Sequence, residues 1–396
     1  MFSGLGTRGA IATSICFAMA VLAWGTVFYG HSVYMDALMR QHGWSAALIS
    51  SAILLFWMAS LPGALCVGIL VDRFGPAPVV AIGGGLIGCG LLVLARINTP
   101  WQLYVVYAMM GFGYPGLAAA AISATLAPWF QRGFGVALGI ALTGASVGGA
   151  LLPAMIVRNS TAVGFEATMT TAGSWVLAVI AVAVVSLALL GRPEAARSTS
   201  AVPPRFSMLA VLRRGRFWKI ALAAAIGLGG QVGLLAHQVP MISMHLDHVT
   251  ASLMVTVVAV ASAAGRLLVG VFSRYLSISG LAAASYILHG AGIGLLALST
   301  EVAGIIAACA LAGLVVGAIV MLPPMLVREA FGTAGFGRTY AMVNVVMYIL
   351  AGLSPWIVGM LRDASGSYSS GLWMLVVMEA VAAIILMWPS GRIARP

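Results

Sequence analysis

The stretch Gly68-Ile-Leu-Val-Asp72-Arg73-Phe-Gly75 separates two long apolar runs of the sequence. The run before it ends near residue 70, and the run after it begins near residue 79. Each run can cross a hydrocarbon layer of about 30 Å, because a helix rises about 1.5 Å per residue. The stretch is therefore predicted to be a short charged turn between two membrane-spanning helices.

Apolar runs and short polar turns alternate in the same way along all 396 residues. Hydrophobic residues make up 62% of the chain and charged residues 7%, which is more apolar sequence than a soluble core requires. The sequence therefore predicts an all-α integral membrane protein with twelve spans, the first of which is retained rather than cleaved as a signal peptide. The spans lie near residues 10–30, 46–70, 79–96, 101–126, 135–157, 168–190, 218–240, 250–272, 279–299, 302–326, 339–360 and 371–389.

The positions of the basic residues predict how the chain is oriented, since Lys and Arg in short loops stay in the cytoplasm. With the N-terminus in the cytoplasm, fifteen of the 20 Lys and Arg residues fall in inner segments, four fall in outer loops and one falls within a span. Both termini are therefore predicted to be cytoplasmic. The four outer residues are Arg40, Arg96, Arg158 and Arg362.

Several other functions are disfavoured by the same pattern. The formal net charge of +11 is spread over loops between apolar spans, so no nucleic-acid partner is expected. Gly83-Gly84-Gly85-Leu-Ile-Gly88 lies inside a span without a preceding strand, and we interpret it as close helix packing rather than a nucleotide loop. No catalytic Ser/His/Asp set stands out, so we do not expect an enzyme. We expect no cofactor or metal either, because the four cysteines lack metal-ligand spacing: Cys16, Cys66, Cys89 and Cys309.

The two halves of the chain have glycine and proline residues at corresponding positions, which predicts a duplicated unit. An offset of 202 residues superimposes Gly133-Phe134-Gly135 on Gly335-Phe336-Gly337, and it also superimposes Pro153 on Pro355. The longest polar stretch, Gly191 to Gly215, lies between the halves. We therefore predict an N-terminal six-helix bundle over residues 1–191, a cytoplasmic linker over 192–217 and a C-terminal six-helix bundle over 218–396.

Two six-helix repeats joined by a cytoplasmic segment resemble the major facilitator fold, whose substrate site lies between the halves. The stretch from Gly68 to Gly75 closely resembles that superfamily's signature loop between helices two and three. The resemblance implies a gating role for Gly68 and for Asp72, which would accept a bond from a neighbouring helix terminus. It implies that Arg73 holds the inner gate and that Gly75 permits the tight turn. In the second half of the chain, Arg274 stands where the corresponding loop would have an acid. We therefore predict a weaker gate contact in that half.

Two further stretches resemble the branch of that superfamily that is monocarboxylate-transporter-like and oxalate/formate-antiporter-like. Trp129-Phe130-Gln131-Arg132-Gly133 and the residues after it resemble the fifth-helix motif of this branch. Gly43-Trp44-Ser45 is typical of its bacterial members. Gly144 and Gly148 predict a close approach between helices that must rock, with ordinary membrane packing as the alternative. The resemblance implies a secondary transporter, a monomer in contact with membrane lipid, in a bacterial inner membrane.

Arg266 lies within the eighth span, and about 12 Å of helix separates it from Arg274. A guanidinium keeps its charge, so its burial is costly, and a carboxylate is its natural partner. Members of the branch are similar in carrying an arginine in helix eight that binds the substrate carboxylate. The resemblance therefore implies that Arg266 binds the substrate. The alternative is that Arg266 extends to the cytoplasmic headgroups or pairs with a carbonyl group.

The number of buried cations limits the class of substrate. Lys219, the only lysine, lies at the cytoplasmic entrance of helix seven. The pattern of dicarboxylate-handling relatives includes a second intramembrane cation in helix eleven. This chain does not resemble that pattern, because it has Asn344 and Tyr348 there instead. One buried cation suits one carboxylate, so we expect a small organic anion, a monocarboxylate, moved by alternating access. The alternatives are a dicarboxylate exchanger and a drug or cation exporter, although an exporter would be expected to carry an acid in place of Arg266.

Other substrate-binding residues are predicted on helices that face the cavity in this fold. Tyr29 and His31 in helix one are candidates for hydrogen bonding or proton transfer, with the outer interface as the alternative for His31. Tyr114, beside a proline in helix four, is a further candidate. Gln231 and His237 in helix seven complete the predicted set.

The coupling ion is left open by the sequence. Proton-coupled relatives pair the helix-eight arginine with an acid one turn earlier, where this chain has Ser262. Glu379 is the only acid clearly within a span, and we interpret it as protonated, paired or interfacial rather than as a relay. The protein is therefore predicted to be either a proton symporter, with a histidine or the substrate carrying H⁺, or an anion exchanger.

Overall fold

The computed structural model describes residues 7–130, 133–191, 208–332 and 336–388. Regular structure in these ranges is helical throughout, without a strand. Twelve helices in these ranges are long and apolar enough to cross a membrane, which confirms the predicted fold class. They are α1 (Thr7–His42), α2 (Ala46–Phe74), α3 (Pro76–Leu94), α4 (Pro100–Trp129), α5 (Phe134–Val163), α6 (Phe165–Leu190), α7 (Gly215–Ile242), α8 (His248–Phe272), α9 (Ile278–Leu298), α10 (Val302–Phe331), α11 (Phe336–Ser365) and α12 (Ser369–Met387).

Part of the predicted linker can be followed. A short helix, Met208–Leu212, precedes α7, and the amide of Phe217 bonds to the carbonyl of Arg214 at the start of α7. Residues 192–207 of the predicted linker lie outside the described residues. The same is true of Gln131 and Arg132 in the fifth-helix motif and of Gly335 in the repeat.

Several helices begin and end at residues that satisfy their free backbone groups. The Ser45 hydroxyl caps α2 by accepting a hydrogen bond from the Leu48 amide at 3.2 Å. The Ser277 hydroxyl caps α9 in the same way, with a hydrogen bond from the Gly280 amide at 3.1 Å. The α2 helix ends at Gly75, whose φ of 86° is open to glycine and strained for other residues. Its amide donates to the Val71 carbonyl at 2.8 Å. Gly75 therefore makes the tight turn that was predicted for it.

The first helix is longer than the predicted span of residues 10–30. It continues to His42, because the polar residues after the span are accommodated inside the protein instead of forming a loop. Asp36 has only 6% of its side chain exposed, and it forms an ion pair with Arg40 one turn later. Hydropathy alone placed the end of this helix too early, since the partners that allow a buried acid are not visible in it.

The described residues form two compact units. Unit 1 contains those within Met1–Ala201 and Leu235–Val260, and unit 2 contains those within Val202–Leu234 and Ala261–Pro396. The end of α7 and the start of α8 therefore pack in one unit with α1 to α6. The predicted boundaries of the two six-helix bundles, at 191 and 218, stay a prediction.

Candidate functional site

Rings from three helices of unit 1 form an aromatic cluster. His31 lies inside it, stacked on Tyr107 with 5.3 Å between ring centroids and edge-on to Phe56 at 4.8 Å. Tyr114 contacts Trp24, Phe56 and Trp57 at centroid distances between 5.4 and 6.2 Å. The cluster therefore brings together three of the predicted substrate residues. It consists of Trp24, Phe28, Tyr29 and His31 from α1, Phe56 and Trp57 from α2, and Tyr107 and Tyr114 from α4.

Both helices that supply the predicted residues of this cluster are irregular beside them. A π-helical segment, Ala23–Phe28, interrupts α1 just before Tyr29, and a 3-10 turn, Tyr114–Gly116, interrupts α4. The Thr26 carbonyl in the π segment accepts a hydrogen bond from the buried Tyr34 hydroxyl at 2.5 Å. Such irregular turns are frequent at functional sites, and interrupted helices form substrate sites in transporters. Pro115 lies within the α4 interruption, although no break was predicted there, and nothing in the sequence marks the π segment.

Polar atoms of the aromatic cluster are buried without hydrogen-bond partners in the described part of the chain. They are both ring nitrogens of His31 and the hydroxyl of Tyr107. His31 has 1% of its surface exposed, so it is buried inside the unit rather than placed at its surface. Leaving a buried polar group unbonded costs about 1–3 kcal/mol, so such groups call for a functional explanation. Tyr107 was not among the predicted substrate-binding residues.

The end of α7 packs against α1 within unit 1. The Val239 amide donates to the Ser32 hydroxyl at 2.6 Å, and both residues are buried. His237 lies two residues earlier on α7 and has 1% of its surface exposed. The predicted residue His237 is thus buried on the segment that contacts α1 beside His31.

Arg266 lies on α8 in unit 2 and is half-buried. The α10 helix passes close to it at Gly317: a Cβ built at Gly317 would lie 2.5 Å from Cγ of Arg266 and 3.1 Å from its Nε. Gly265, the residue before Arg266, likewise has no room for a side chain against the Leu314 carbonyl. These two glycines let α8 and α10 approach closely enough for the arginine stem to lie between them.

The other predicted residues of unit 2 lie on two helices. Gln231 on α7 is fully buried, and neither its amide oxygen nor its nitrogen has a hydrogen-bond partner within the described ranges. Asn344 forms a hydrogen bond with Tyr340 on α11, and Tyr348 lies one turn farther along the same helix. Both Asn344 and Tyr348 are half-buried.

A buried ion pair in unit 2 was not predicted. Nδ1 of His289 on α9 lies 2.7 Å from Oε1 of Glu379 on α12, and both side chains are 0% exposed. Glu379 is therefore paired, which was one of the interpretations given for it. His289 and Tyr286 are the ionisable residues of the ninth span, but nothing in the sequence pairs either of them with Glu379.

The predicted gating residues occupy two places in unit 1. Gly144 and Gly148 on α5 face α1, where an added Cβ would meet the backbone carbonyl groups of Phe17 and Val21. This is the close approach that was predicted for this helix. Arg73 is exposed near the end of α2, with its guanidinium 5.1 Å from the ring centroid of Phe74. Gly68 and Asp72 lie in α2, but their surroundings are outside the described part of the structure.

Comparison with known proteins assigns the family. The model of the Major Facilitator Superfamily matches residues 13–355, so the chain belongs to that superfamily and is a multi-pass secondary transporter. Monocarboxylate transporter 11 of Homo sapiens is 26% identical over 388 residues, which cover 92% of this chain and 79% of that protein. Monocarboxylate transporter 10 of Danio rerio is 23% identical over 333 residues, which cover 81% of this chain and 65% of that protein. The chain is thus similar to the branch that its motifs indicated.

The fold is also shared with solved transporters. The crystal structure of the nucleoside transporter NupG superimposes on this chain with a TM-score of 0.71 and 15% sequence identity. The matched region covers 96% of this chain and 98% of the NupG chain. At this identity the likeness concerns the fold alone.

Proposed function

We propose that this transporter moves a small monocarboxylate across the cytoplasmic membrane by alternating access, as a proton symporter or an anion exchanger. The observation that carries the proposal is Arg266, a permanent cation that is half-buried inside an apolar helix. An ionisable residue within a membrane-spanning helix is rare and marks a functional site by default. The planar guanidinium matches a carboxylate with two parallel hydrogen bonds, which gives it specificity for that group.

The helix contacts support a binding role for Arg266. Glycine at position 317 leaves the arginine stem in contact with α10 without a competing side chain. Similarity to proteins named monocarboxylate transporters supports the same class of substrate. Within unit 2, which also contains Arg266, the buried side-chain amide of Gln231 lacks a hydrogen-bond partner among the described residues and supplies a further hydrogen-bonding group for a polar guest.

A binding screen tests the substrate class. Purified protein is heated with formate, acetate, lactate, pyruvate or benzoate, with oxalate as the dicarboxylate and with tetraphenylphosphonium as the organic cation. We expect stabilisation by one or more of the monocarboxylates, since a ligand that binds the folded state raises its stability. Stabilisation by the cation alone would favour an exporter, and stabilisation by oxalate alone would favour a dicarboxylate exchanger.

Counterflow in proteoliposomes then tests Arg266 with the stabilising carboxylate. We expect Arg266→Lys to lower transport efficiency by about tenfold or more, or about 1.4 kcal/mol, because a point charge lacks the guanidinium fork. Arg274→Lys is the matched control, because Arg274 is exposed in the turn directly after the same helix. Unchanged transport by Arg266→Lys would contradict the proposal.

A further inference from the structure

The His289–Glu379 pair lies at a contact between three helices of unit 2. His289 belongs to α9 and Glu379 to α12, and α7 covers the carboxylate at Gly230. A Cβ at Gly230 would collide with Oε1 of Glu379, so the backbone of α7 lies directly against the acid. On the α9 side, a Cβ at Gly290 would lie 3.2 Å from Cβ of Glu379. The pair is thus enclosed on more than one side by backbone.

The hydrogen bonds around the pair are incomplete. Nε2 of His289, Oε2 of Glu379 and the Tyr286 hydroxyl have no hydrogen-bond partner in the described part of the chain. A buried ion pair repays the cost of losing water only when its remaining polar atoms are bonded as well. Apolar side chains of similar volume would stabilise this contact between α9 and α12 at least as well. A purely structural role therefore explains the pair poorly.

Charge balance fixes how many protons the pair holds while it is enclosed. The neutral pair carries one titratable proton, which lies on either Nδ1 of His289 or Oε1 of Glu379. Removal of that proton leaves a lone buried carboxylate, and addition of a second leaves a lone buried imidazolium. Either net charge is expensive in a dry environment. The enclosed pair therefore holds one proton, and it can release that proton only when water reaches it.

Other ionisable groups lie elsewhere on these helices. Tyr286 precedes His289 by about one turn on α9, Cys309 is the buried thiol of α10, and α7 carries His237 two turns beyond Gly230. The phenols of α11 are Tyr340 and Tyr348, and its buried Ser354 is neutral. Within the described residues of α7, α10 and α11, the charged side chains lie in the terminal turns: Arg216, Lys219, Arg328, Glu329, Arg338, Arg362 and Asp363.

The α7 helix connects the pair to the predicted substrate site. Gly230, which covers Glu379, is followed directly by Gln231, whose buried side-chain amide has no hydrogen-bond partner among the described residues. A movement of α7 that rearranges Gln231 around a substrate also displaces the backbone that encloses the carboxylate. Such a movement couples substrate binding to hydration of the pair.

We propose that His289 and Glu379 form the proton-binding site of this transporter, which takes up one H⁺ and releases it on the other side together with one carboxylate. This inference rests on the proposed function. The empty pair, neutral imidazole and carboxylate, gains the proton from water on one side, and the pair that is enclosed in the substrate-loaded protein then carries no net charge. After the proton and the carboxylate leave on the other side, the empty protein returns with water still in contact with the deprotonated pair, since a dry buried charge would be costly. One proton moving with one monoanion makes the transport electroneutral and driven by a pH gradient.

Transport in proteoliposomes tests the proposal in two modes with the carboxylate that stabilises the protein most in the thermal screen. One mode is accumulation driven by a pH gradient, and the other is exchange of labelled for unlabelled substrate at equal pH. We expect Glu379→Gln to lose pH-driven accumulation by about tenfold or more and to lower exchange by a much smaller factor. Glu329→Gln is the matched control, since Glu329 is an exposed carboxylate on α10. His289→Gln and Glu379→Asp are a second pair: His289→Gln should behave like Glu379→Gln, and Glu379→Asp should keep part of the accumulation.

A substrate-free measurement keeps the proposal falsifiable if the substrate is not a carboxylate. Infrared spectra of the purified protein should show a carboxyl or carboxylate band of Glu379 that changes with pH and is missing in Glu379→Gln, because a proton on either member of the pair shifts that band. Absence of a titrating band overturns the proton site, as does pH-driven accumulation at the wild-type level in Glu379→Gln. Equal loss of both transport modes in a folded Glu379→Gln also overturns it. Absence of carboxylate transport in the wild-type protein contradicts the proposed function instead, and the infrared band then decides the proton site by itself.

Discussion

Nδ1 of His248, in the first turn of α8, lies 3.1 Å from the Asp36 carboxylate near the end of α1. Asp36 also binds Arg40 at 3.0 Å, and Nδ1 of His248 lies 3.0 Å from the Ser243 hydroxyl. These contacts fasten the start of α8 to the end of α1 within unit 1. Alternating access requires helices of this fold to separate and rejoin, so we expect this contact to break and re-form during transport.

Asp36→Asn is expected to destabilise the protein by about 1–3 kcal/mol, because it leaves the cation of Arg40 without its anion and weakens the contact with Nδ1 of His248. The measurement is chemical unfolding of the purified protein in detergent. The Arg96–Glu166 pair offers a matched control, since its side chains are 72% and 62% exposed at a similar distance of 3.0 Å. Glu166→Gln should therefore change stability by less than about 1 kcal/mol. Equal effects of the two substitutions would contradict a structural role of the Asp36 contact.

Gly148→Ala is expected to lower both stability and transport, because the added Cβ would meet the Val21 backbone where α5 lies against α1. Gly139 on the same helix has open space around its Cα, so Gly139→Ala is the control. That substitution should be neutral or stabilise the helix by up to about 1 kcal/mol. Thermal unfolding and counterflow measure the two effects. A Gly148→Ala variant that transports like the wild type would show that the close approach is not needed.

His31→Phe is expected to preserve or raise stability while it lowers the affinity for substrate. A phenyl ring keeps the stacking on Tyr107 and removes two buried nitrogens that lack hydrogen-bond partners in the described structure. The thermal midpoint and the concentration dependence of counterflow measure the two properties separately. His245→Phe, at an exposed position, is the control. Unchanged affinity in His31→Phe would exclude His31 from the substrate site.

Acid is expected to loosen the first turn of α8. The pKa of Asp247 lies below its ordinary value, because its carboxylate accepts hydrogen bonds from the Thr250 side chain and the Thr250 amide. A lowered folded-state pKa gives stabilisation that is present above the unfolded pKa and is lost as the pH falls through the folded pKa. Hydrogen exchange at the Thr250 amide should therefore speed up on acidification, relative to the normal pH trend.

Asp247→Asn provides the control for this pH dependence. Asparagine also caps helices, so the first turn should keep its hydrogen bond, but it does not titrate. The variant should show no extra acceleration of exchange at low pH. The same acceleration in both proteins would assign the effect to another group, such as His248.

The sequence determined the fold class and most of the helix positions. A hydrocarbon layer demands continuous apolar runs with internally bonded backbones, so composition and spacing carry that information locally. The glycines at 75, 144 and 148 were also understood from the sequence, since each marks a turn or a close approach. The end of α1 could not be placed from the sequence, because the burial of Asp36 depends on two partners. Arg40 lies one turn later, and His248 is remote in the sequence.

The sequence by itself also singled out Arg266, because a permanent charge in an apolar run is conspicuous without any structure. Only the tertiary structure placed His31 on Tyr107 and His289 on Glu379. His289 and Glu379 are separated by 90 positions, and the sequences of the ninth and twelfth spans do not show that these two residues meet. A buried polar group is tolerated only where a partner or a ligand meets it, and folding alone decides which side chains meet.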